Sequence, residues 1–523
     1  MLMGFAVVGV CVWRESHRQF VEGLIVTVVC AQTLFLLLPK LFSIPDFFIF
    51  PGNLQYASFW ACAAAFLALG HGMAIRDVSE GEPSSPSLLT RAGWGVVFLL
   101  AVGGIFLLPV RSGLWALVVG VLVFGYARFG RRGLAGAGFI LILGCLAIPR
   151  SRMAHSLKFE EAKSFKRTDI WRASLAGIAE RPLLGWGPAQ YENLYWQKGL
   201  PQNEEPVRFE MTTDRAHNDF LQISAESGVL GGLFALLAMG GLFYSSPKGK
   251  RRAGVCAAWA GAGAFALVNS PLALPACGAL SGCLAAMAPP GRRPRWVSFD
   301  SSVYRRAVAW GGAISILLCL GEVSLAVNEG LGTHRFVFLD STDPRRVEDR
   351  RIKADLALHS GAPAGDVVAE KGLRDLLRWN SHRAELWRDL AHLELDHARP
   401  PRWEDGVAHY RQALWLNPHH APWDVELAQA LARQGHLSEA RRTLADAIRW
   451  EPHYFDAWFG IGFLLRREGR SADAAKWLDT LRRQSKTWPL ATPDDSGYRR
   501  TVLHQDPGAL ARLIELCEKD VRP

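Results

Sequence analysis

Residues Thr212–Phe243 read TTDRAHNDFLQISAESGVLGGLFALLAMGGLF, a charged opening that passes directly into a long apolar run. From Ser227 to Phe243 there is no charged residue, so the segment predicts an unbroken helix entering a membrane, with His217, Asn218 and Asp219 a turn or two outside the hydrocarbon. Working outward, nine further apolar spans appear: Met1–Trp13, Phe20–Leu38, Tyr56–Ile75, Gly93–Leu108, Gly113–Ala127, Gly133–Ile148, Ala253–Val268, Leu272–Ala288 and Ala307–Val327, with Val229–Tyr244 the seventh in order. Several are shorter than the roughly 20 residues that cross a bilayer as a helix.

Composition follows from this division. The 523 residues are 50% hydrophobic and 21% charged, an average over an apolar half ending near Leu325 and a polar half from Asn328 to Pro523. A fully soluble protein is excluded. The net charge of +10 does not read as nucleic-acid binding, because the basic residues sit between apolar runs and are not interleaved with aromatics on one face. Eight of the nine cysteines lie in apolar segments, with Cys517 alone in the polar tail, which gives neither a disulfide framework nor a zinc spacing.

The gaps between spans fix an orientation, since Lys and Arg in short loops stay on the cytoplasmic side. One alternate set of gaps carries sixteen basic residues, among them Arg76, Arg91, Arg128, Arg131 and Arg132, and the other set carries Lys40 and Arg111. This puts Arg150–Gly228 and the whole tail on the outer face of the cytoplasmic membrane. It also starts the first span outside, so further apolar spans are expected to precede Met1.

The tail repeats. Pro418 and Pro452, Gly435 and Gly469, Ala440 and Ala474, Leu444 and Leu478, and Leu427 and Ile461 are all 34 apart, the period of tetratricopeptide helix pairs. A looser unit runs from Ala384 to Pro418 with three extra residues near Arg399–Arg402, and Asp343–Trp379 reads as a cap. The fold class expected is all-α: transmembrane helices over 1–149, a long outer segment over 150–228, further transmembrane helices over 229–327, and a helical-repeat domain over 328–523.

Chemistry is expected on the outer segment, which is too long for a plain connector and is rich in aromatic and apolar residues suited to lying on the membrane or capping the bundle. His217 stands beside Arg215 and Asn218 at the helix entrance. Arg111, Arg167, Arg172 and Arg215 lie at the same membrane level, where planar guanidinium groups suit bidentate phosphate contacts. Residues nine apart on a continuous helix face opposite ways, so Glu226 and His217 do not form a metal pair, and neither a metal nor a cofactor is expected.

Four ordered segments carry a resemblance: FPGNLQYASF (50–59), VRSGLWAL (110–117), RTDIWRASLAGIAERPLLGWGP (167–188) and AHNDFLQISAESGVLGGLF (216–234), followed by NSPLALPACGAL (269–280). Together they resemble the O-antigen ligase and O-antigen polymerase superfamily, membrane glycosyltransferases that move glycans from a polyprenyl diphosphate carrier. The resemblance implies that His217 helps activate the acceptor hydroxyl and that Arg111 and Arg167 hold the diphosphate. It implies pocket roles for Trp171, Gly185, Gly187, Asn218, Glu226 and Gly228, and for Asn53 near the same level. The family's Ser precedes its arginine, whereas here Val110 precedes Arg111 and Ser112 follows it. The partners implied are a lipid-linked glycan and a glycan, lipid or protein acceptor, with a protein partner for the repeats. An exporter and a membrane-anchored scaffold are the alternative readings.

Overall fold

The computed structural model describes residues 54–73, 88–107, 111–147, 167–199, 201, 206–210, 212–245, 253–271, 351–356, 365–378 and 380–503, with 508, 512 and 515. Asn53 and the spans Met1–Trp13, Phe20–Leu38, Leu272–Ala288 and Ala307–Val327 lie outside the described residues. The described chain is all-α. In order its helices are α1 (Leu54–Gly72), α2 (Leu88–Leu107), α3 (Arg111–Ala147), α4 (Arg167–Glu180), α5 (Tyr191–Lys198), α6 (Asp219–Ser245), α7 (Ala253–Ala266), α8 (Gly365–Leu377), α9 (Ala384–His392), α10 (Trp403–Leu416), α11 (Ala421–Arg433), α12 (Leu437–Trp450), α13 (Phe455–Arg467), α14 (Ser471–Gln484) and α15 (Gly497–Val502).

Two compact units share these helices. The first comprises Met1–Ser164, Arg181–Gly185 and Arg215–Ser324; the second comprises Phe165–Glu180, Trp186–Asp214 and Leu325–Pro523.

The first unit is the apolar bundle. Two of its helical segments, Arg111–Leu143 and Asp219–Leu237, are long and apolar enough to cross a membrane. Each contains a glycine outside helical geometry, Gly130 (φ 63°) in α3 and Gly228 (φ 78°) in α6. At Gly130 the chain reverses. A Cβ built on Gly133 would lie 2.0 Å from the carbonyl oxygen of Gly125, yet residues eight apart on a straight helix are separated by about 12 Å. The fifth and sixth spans are therefore separate, as their sequences predict. The polar segment does not run unbroken into the seventh span as expected from sequence, because Gly228 interrupts the helix just before Val229.

Packing in this unit depends on small residues. Ala61, Ala64, Ala65, Ala257, Ala258 and Ala262 are buried with Phe66 and Phe265, and a Cβ on Gly254 would lie 2.4 Å from Phe66 O. Small side chains let helix backbones approach closely where lipid supplies no hydrophobic driving force between helices. Leu99, Phe106, Phe139, Ile140, Phe234 and Leu237 are all more than half exposed, the surface expected of helices surrounded by hydrocarbon.

Helix directions can be read from the ends. At one end the Arg128 guanidinium donates to Met73 O (3.0 Å), and Gly70 meets Gly254. At the other end Ser58, Ser112 and Asn269 are buried together, with Asn269 Nδ2 donating to Ser112 Oγ (3.4 Å). Thus α1 and the first half of α3 run one way and α7 runs the other, the alternation that the basic gaps require.

In the second unit, α9/α10, α11/α12 and α13/α14 are the three helix pairs read from sequence. Residues 34 apart are equivalent. Ala440 and Ala474, Leu444 and Leu478, and Leu427 and Ile461 are buried, while Gly435 (φ 87°) and Gly469 (φ 78°) turn the chain within their pairs in the left-handed conformation that favours glycine. The extra residues of the first pair follow a π-helical turn, Leu393–His397, that ends α9.

Candidate functional site

The segment before α6 is built around its helix start. Asn218 Oδ1 accepts from the backbone N–H groups of Phe220 (3.0 Å) and Leu221 (3.1 Å), so Asn218 is the N-cap. The amide of Ala216 donates to Gln222 Oε1 (3.3 Å), and Gln222 Nε2 donates to Glu226 Oε1 (3.1 Å). These contacts pin both neighbours of His217, whose own backbone is left-handed (φ 49°). A non-glycine residue in that region is uncommon and costs on the order of 1 kcal/mol or more, so the surrounding contacts must hold it there. His217 and Arg215 are half-buried, Ala216 and Asn218 are buried, and Glu226 is directed to Gln222.

Below this start, residues 181–185 pack into the break of α6. Val229 N donates to Pro182 O (2.8 Å), and Gly185 (φ 68°) lies against the Glu226–Gly228 backbone. The PLLG and ESG parts of two separate motifs are thus one structural element of the first unit.

Arg111 is exposed at the first position of α3, beside the buried Ser112. The polar group Ser58, Ser112 and Asn269 was missed by the sequence reading, although each member lies within a quoted segment. Isolated Ser and Asn residues in apolar helices give little signal until packing brings them together.

Arg167, Trp171 and Arg172 belong to α4 of the second unit. Arg167 is exposed at its N-terminus, Trp171 is half-buried, and Arg172 is exposed and pairs with Asp169 (3.4 Å). The helix is held through its other face: Ser174 Oγ and Tyr191 Oη are 2.5 Å apart, and Trp186 Nε1 donates to Gly177 O (3.0 Å). Several aromatic residues of the motif therefore fix α4 against α5.

Farther along, Trp196 and Val207 are buried in the cores of the repeats. The buried carboxylate of Glu451 accepts from the backbone amides of Arg208 (3.2 Å) and Phe209 (3.0 Å) and from Tyr498 Oη (3.1 Å). Arg208 donates to the α12 carbonyls of Trp450 (2.8 Å) and Arg449 (2.5 Å), satisfying a helix end. Phe209 stacks on His419 (centroids 4.5 Å apart), and His419 Nδ1 bonds Trp196 O (2.7 Å). Val207, buried with φ 67°, sets up this turn.

Burial shifts several groups here. Asp424, buried and next influenced by Asp446, is pushed up to about 8; Glu192, half-buried and next influenced by Glu385, is pushed up to about 7; His420 is lowered by burial to about 3. The two raised carboxyls bind protons in the folded chain where the unfolded chain is ionised. Their stabilisation is complete below pH about 4 and is lost as pH rises through about 7 and then 8. His420 acts oppositely, its contribution being present above pH about 6.5 and lost towards pH 3. Unfolding of the full-length protein followed by tryptophan fluorescence should show the repeat unit about 1 kcal/mol less stable at pH 9 than at pH 7. Asp424→Asn should remove most of that difference; an unchanged slope in this variant would show another group to be responsible.

Two stretches of the chain match models of known families. A family model described as O-Antigen ligase matches residues 96–236, and one described as Tetratricopeptide repeat matches residues 401–451. No curated protein matches the chain. Two crystal structures of MamA align at 17% and 16% identity, over 28% and 34% of this chain and 81% and 97% of theirs, each with a TM-score of 0.25. The O-antigen ligase match spans α2 to α6, takes in Arg111, Arg167 and His217, and implies membrane ligation or polymerisation of glycans. The chain therefore carries an O-antigen ligase domain in its apolar half and a tetratricopeptide repeat in its polar half.

Proposed function

We propose that the protein transfers a glycan from a polyprenyl diphosphate to an acceptor hydroxyl at the outer face of the cytoplasmic membrane, without a metal. The observation that carries this reading is the left-handed His217, locked between a buried residue and an N-cap at the entrance of an apolar helix. In the reaction the acceptor oxygen attacks the anomeric carbon, the bond from that carbon to the diphosphate oxygen breaks, and the hydroxyl proton passes to His217. An imidazole with an ordinary pKa near 6.5 is suited to this proton transfer. Arg111 and Arg167 hold the departing diphosphate, where fixed donors of this kind each contribute roughly 3–4 kcal/mol. Arg215 and Arg172 add positive charge, while Asn218, Glu226, Trp171 and Asn53 shape the site. The repeat unit stands on the same outer side and engages a protein partner or acceptor. The helix directions in the bundle support the alternation of spans from which the basic gaps assign the outer face.

Full-length protein in lipid nanodiscs, given a polyprenyl-diphosphate oligosaccharide and an acceptor, is expected to release polyprenyl diphosphate and yield glycosylated product without added metal. A ladder of products identifies a polymerase and a single addition identifies a ligase. Release of no polyprenyl diphosphate with any glycan, lipid-core or protein acceptor counts against transfer.

A further inference from the structure

Pro182, Leu183 and Leu184 are exposed, between the exposed Arg181 and the buried Gly185. Leu184 is 85% exposed and Leu183 70%, the two most exposed large hydrophobic side chains among the described residues. An isolated exposed leucine is ordinary, but two in succession that continue a larger apolar surface mark an interaction site. These two continue one. The Pro182 carbonyl accepts from the amide of Val229, and a Cβ on Gly228 would lie 2.0 Å from Leu183 O, so the loop is seated against the first residues of the apolar part of α6. There Val229, Leu230, Leu233 and Phe234 are themselves about half exposed or more. Residues 181–185 and α6 belong to the same unit.

The level of the loop follows from α6. Before the break at Gly228 the helix carries Asp219, Gln222, Ser224 and Glu226, whereas Val229–Phe243 contains no polar side chain. The change at Gly228 puts the break at the edge of the hydrocarbon, and the loop bonded into it at the same depth. Non-helical backbone is not tolerated deep in lipid, because its polar groups lack partners there. At the edge it is tolerated: Pro182 has no N–H, its carbonyl accepts from Val229, Gly185 N donates to Arg181 O (3.0 Å), and headgroup water reaches the remaining peptide groups. The leucine side chains alone then extend into the acyl region. A water-soluble protein fits this surface poorly, since the apolar face that the leucines continue is the face that α6 turns to hydrocarbon.

We propose that Pro182–Gly185 is a membrane-dipping anchor, with Leu183 and Leu184 inserted among the acyl chains of the leaflet at the His217 end of α6. Lipid on one side and the Val229 N–H on the other hold the loop in the helix break. The anchor requires that the bundle lie in a membrane and is independent of glycan transfer.

Full-length protein in nanodiscs whose phospholipids carry a diazirine near the carbonyl end of one acyl chain tests this directly. After illumination, lipid adducts are mapped by mass spectrometry, and hydroxyl-radical footprinting of a parallel sample reads contact with water. Leu183 and Leu184 should carry adducts at a yield comparable with that on Leu230–Phe234 and should be protected from oxidation. In the double variant Leu183→Asp/Leu184→Asp the adduct yield on the loop should fall about tenfold, because a carboxylate resists entry into the acyl region, while the yield on Leu230–Phe234 stays the same. Leu183→Ser/Leu184→Ser serves as a second variant should the first unfold. Absence of adducts on Leu183 and Leu184 while Leu230–Phe234 carries them overturns the proposal, whether the leucines are oxidised by water or shielded by protein, as does an unchanged loop yield in the folded polar variants. No glycan or acceptor is present, so the result is separate from that of the transfer assay.

Discussion

Replacing His217 with Asn should reduce glycan transfer by about 10²–10⁴-fold, the range expected when a general base is removed, while binding of the lipid-linked glycan changes little. Asparagine is the informative substitute because it tolerates the left-handed backbone that His217 adopts at φ 49°. His217→Ala adds a backbone cost to the chemical one, so the two variants together separate the roles of conformation and proton transfer. If His217 serves only to shape the turn before α6, the Asn variant keeps turnover and the Ala variant loses part of it. If it is the base, both variants fall by at least that factor, and the residual Asn activity loses the acid limb of the pH profile. Arg111→Ala and Arg167→Ala should each lower turnover by about 10²–10³-fold through loss of charge on the leaving diphosphate. A fully active Asn variant would remove the proposed mechanism.

The elements most legible in the sequence are those set by periodic patterns. The 34-residue spacing gave the helix pairs, because each repeat must place a small residue and a turn glycine at the same point of the same helix pair. The basic gaps gave helix alternation, and α1, the first half of α3 and α7 run accordingly. Less legible was anything set by contact between distant segments. Glu451 sits 34 residues after Asn417 and is a charged residue at an equivalent, buried position, but its partners Arg208 and Phe209 lie about 240 residues earlier. No local pattern links them. The break at Gly228 was similarly hidden: the run from Ser227 to Phe243 has the composition of a continuous span, and the segment that interrupts it is Pro182–Gly185. The candidate site was legible as motifs, whereas the reason for its glycines required the fold.

That reason carries the second large effect. Gly228→Ala should destabilise the first unit by roughly 3 kcal/mol or more and abolish transfer, whereas Gly130→Ala should cost only about 1 kcal/mol. Both glycines have positive φ, 78° and 63°, so both variants incur the backbone strain. They differ in what a Cβ would meet. At Gly130 there is nothing within 4 Å, but at Gly228 the Cβ would lie 2.0 Å from the carbonyl oxygen of Leu183 and 2.4 Å from its carbon. That carbonyl belongs to backbone held by the Val229 N–H to Pro182 O bond, so relief means pulling residues 182–185 away and breaking that bond. Gly185→Ala should behave like Gly228→Ala, since its Cβ would fall 2.5 Å from Glu226 C and 2.6 Å from Gly228 N. The double variant should then cost little more than either single one, because both break the same contact. Thermal unfolding of the three variants and of Gly130→Ala in nanodiscs decides it. Equal losses for Gly130→Ala and Gly228→Ala would mean that backbone conformation alone sets the cost, and full additivity of Gly185→Ala with Gly228→Ala would mean that the two motifs are not one structural element.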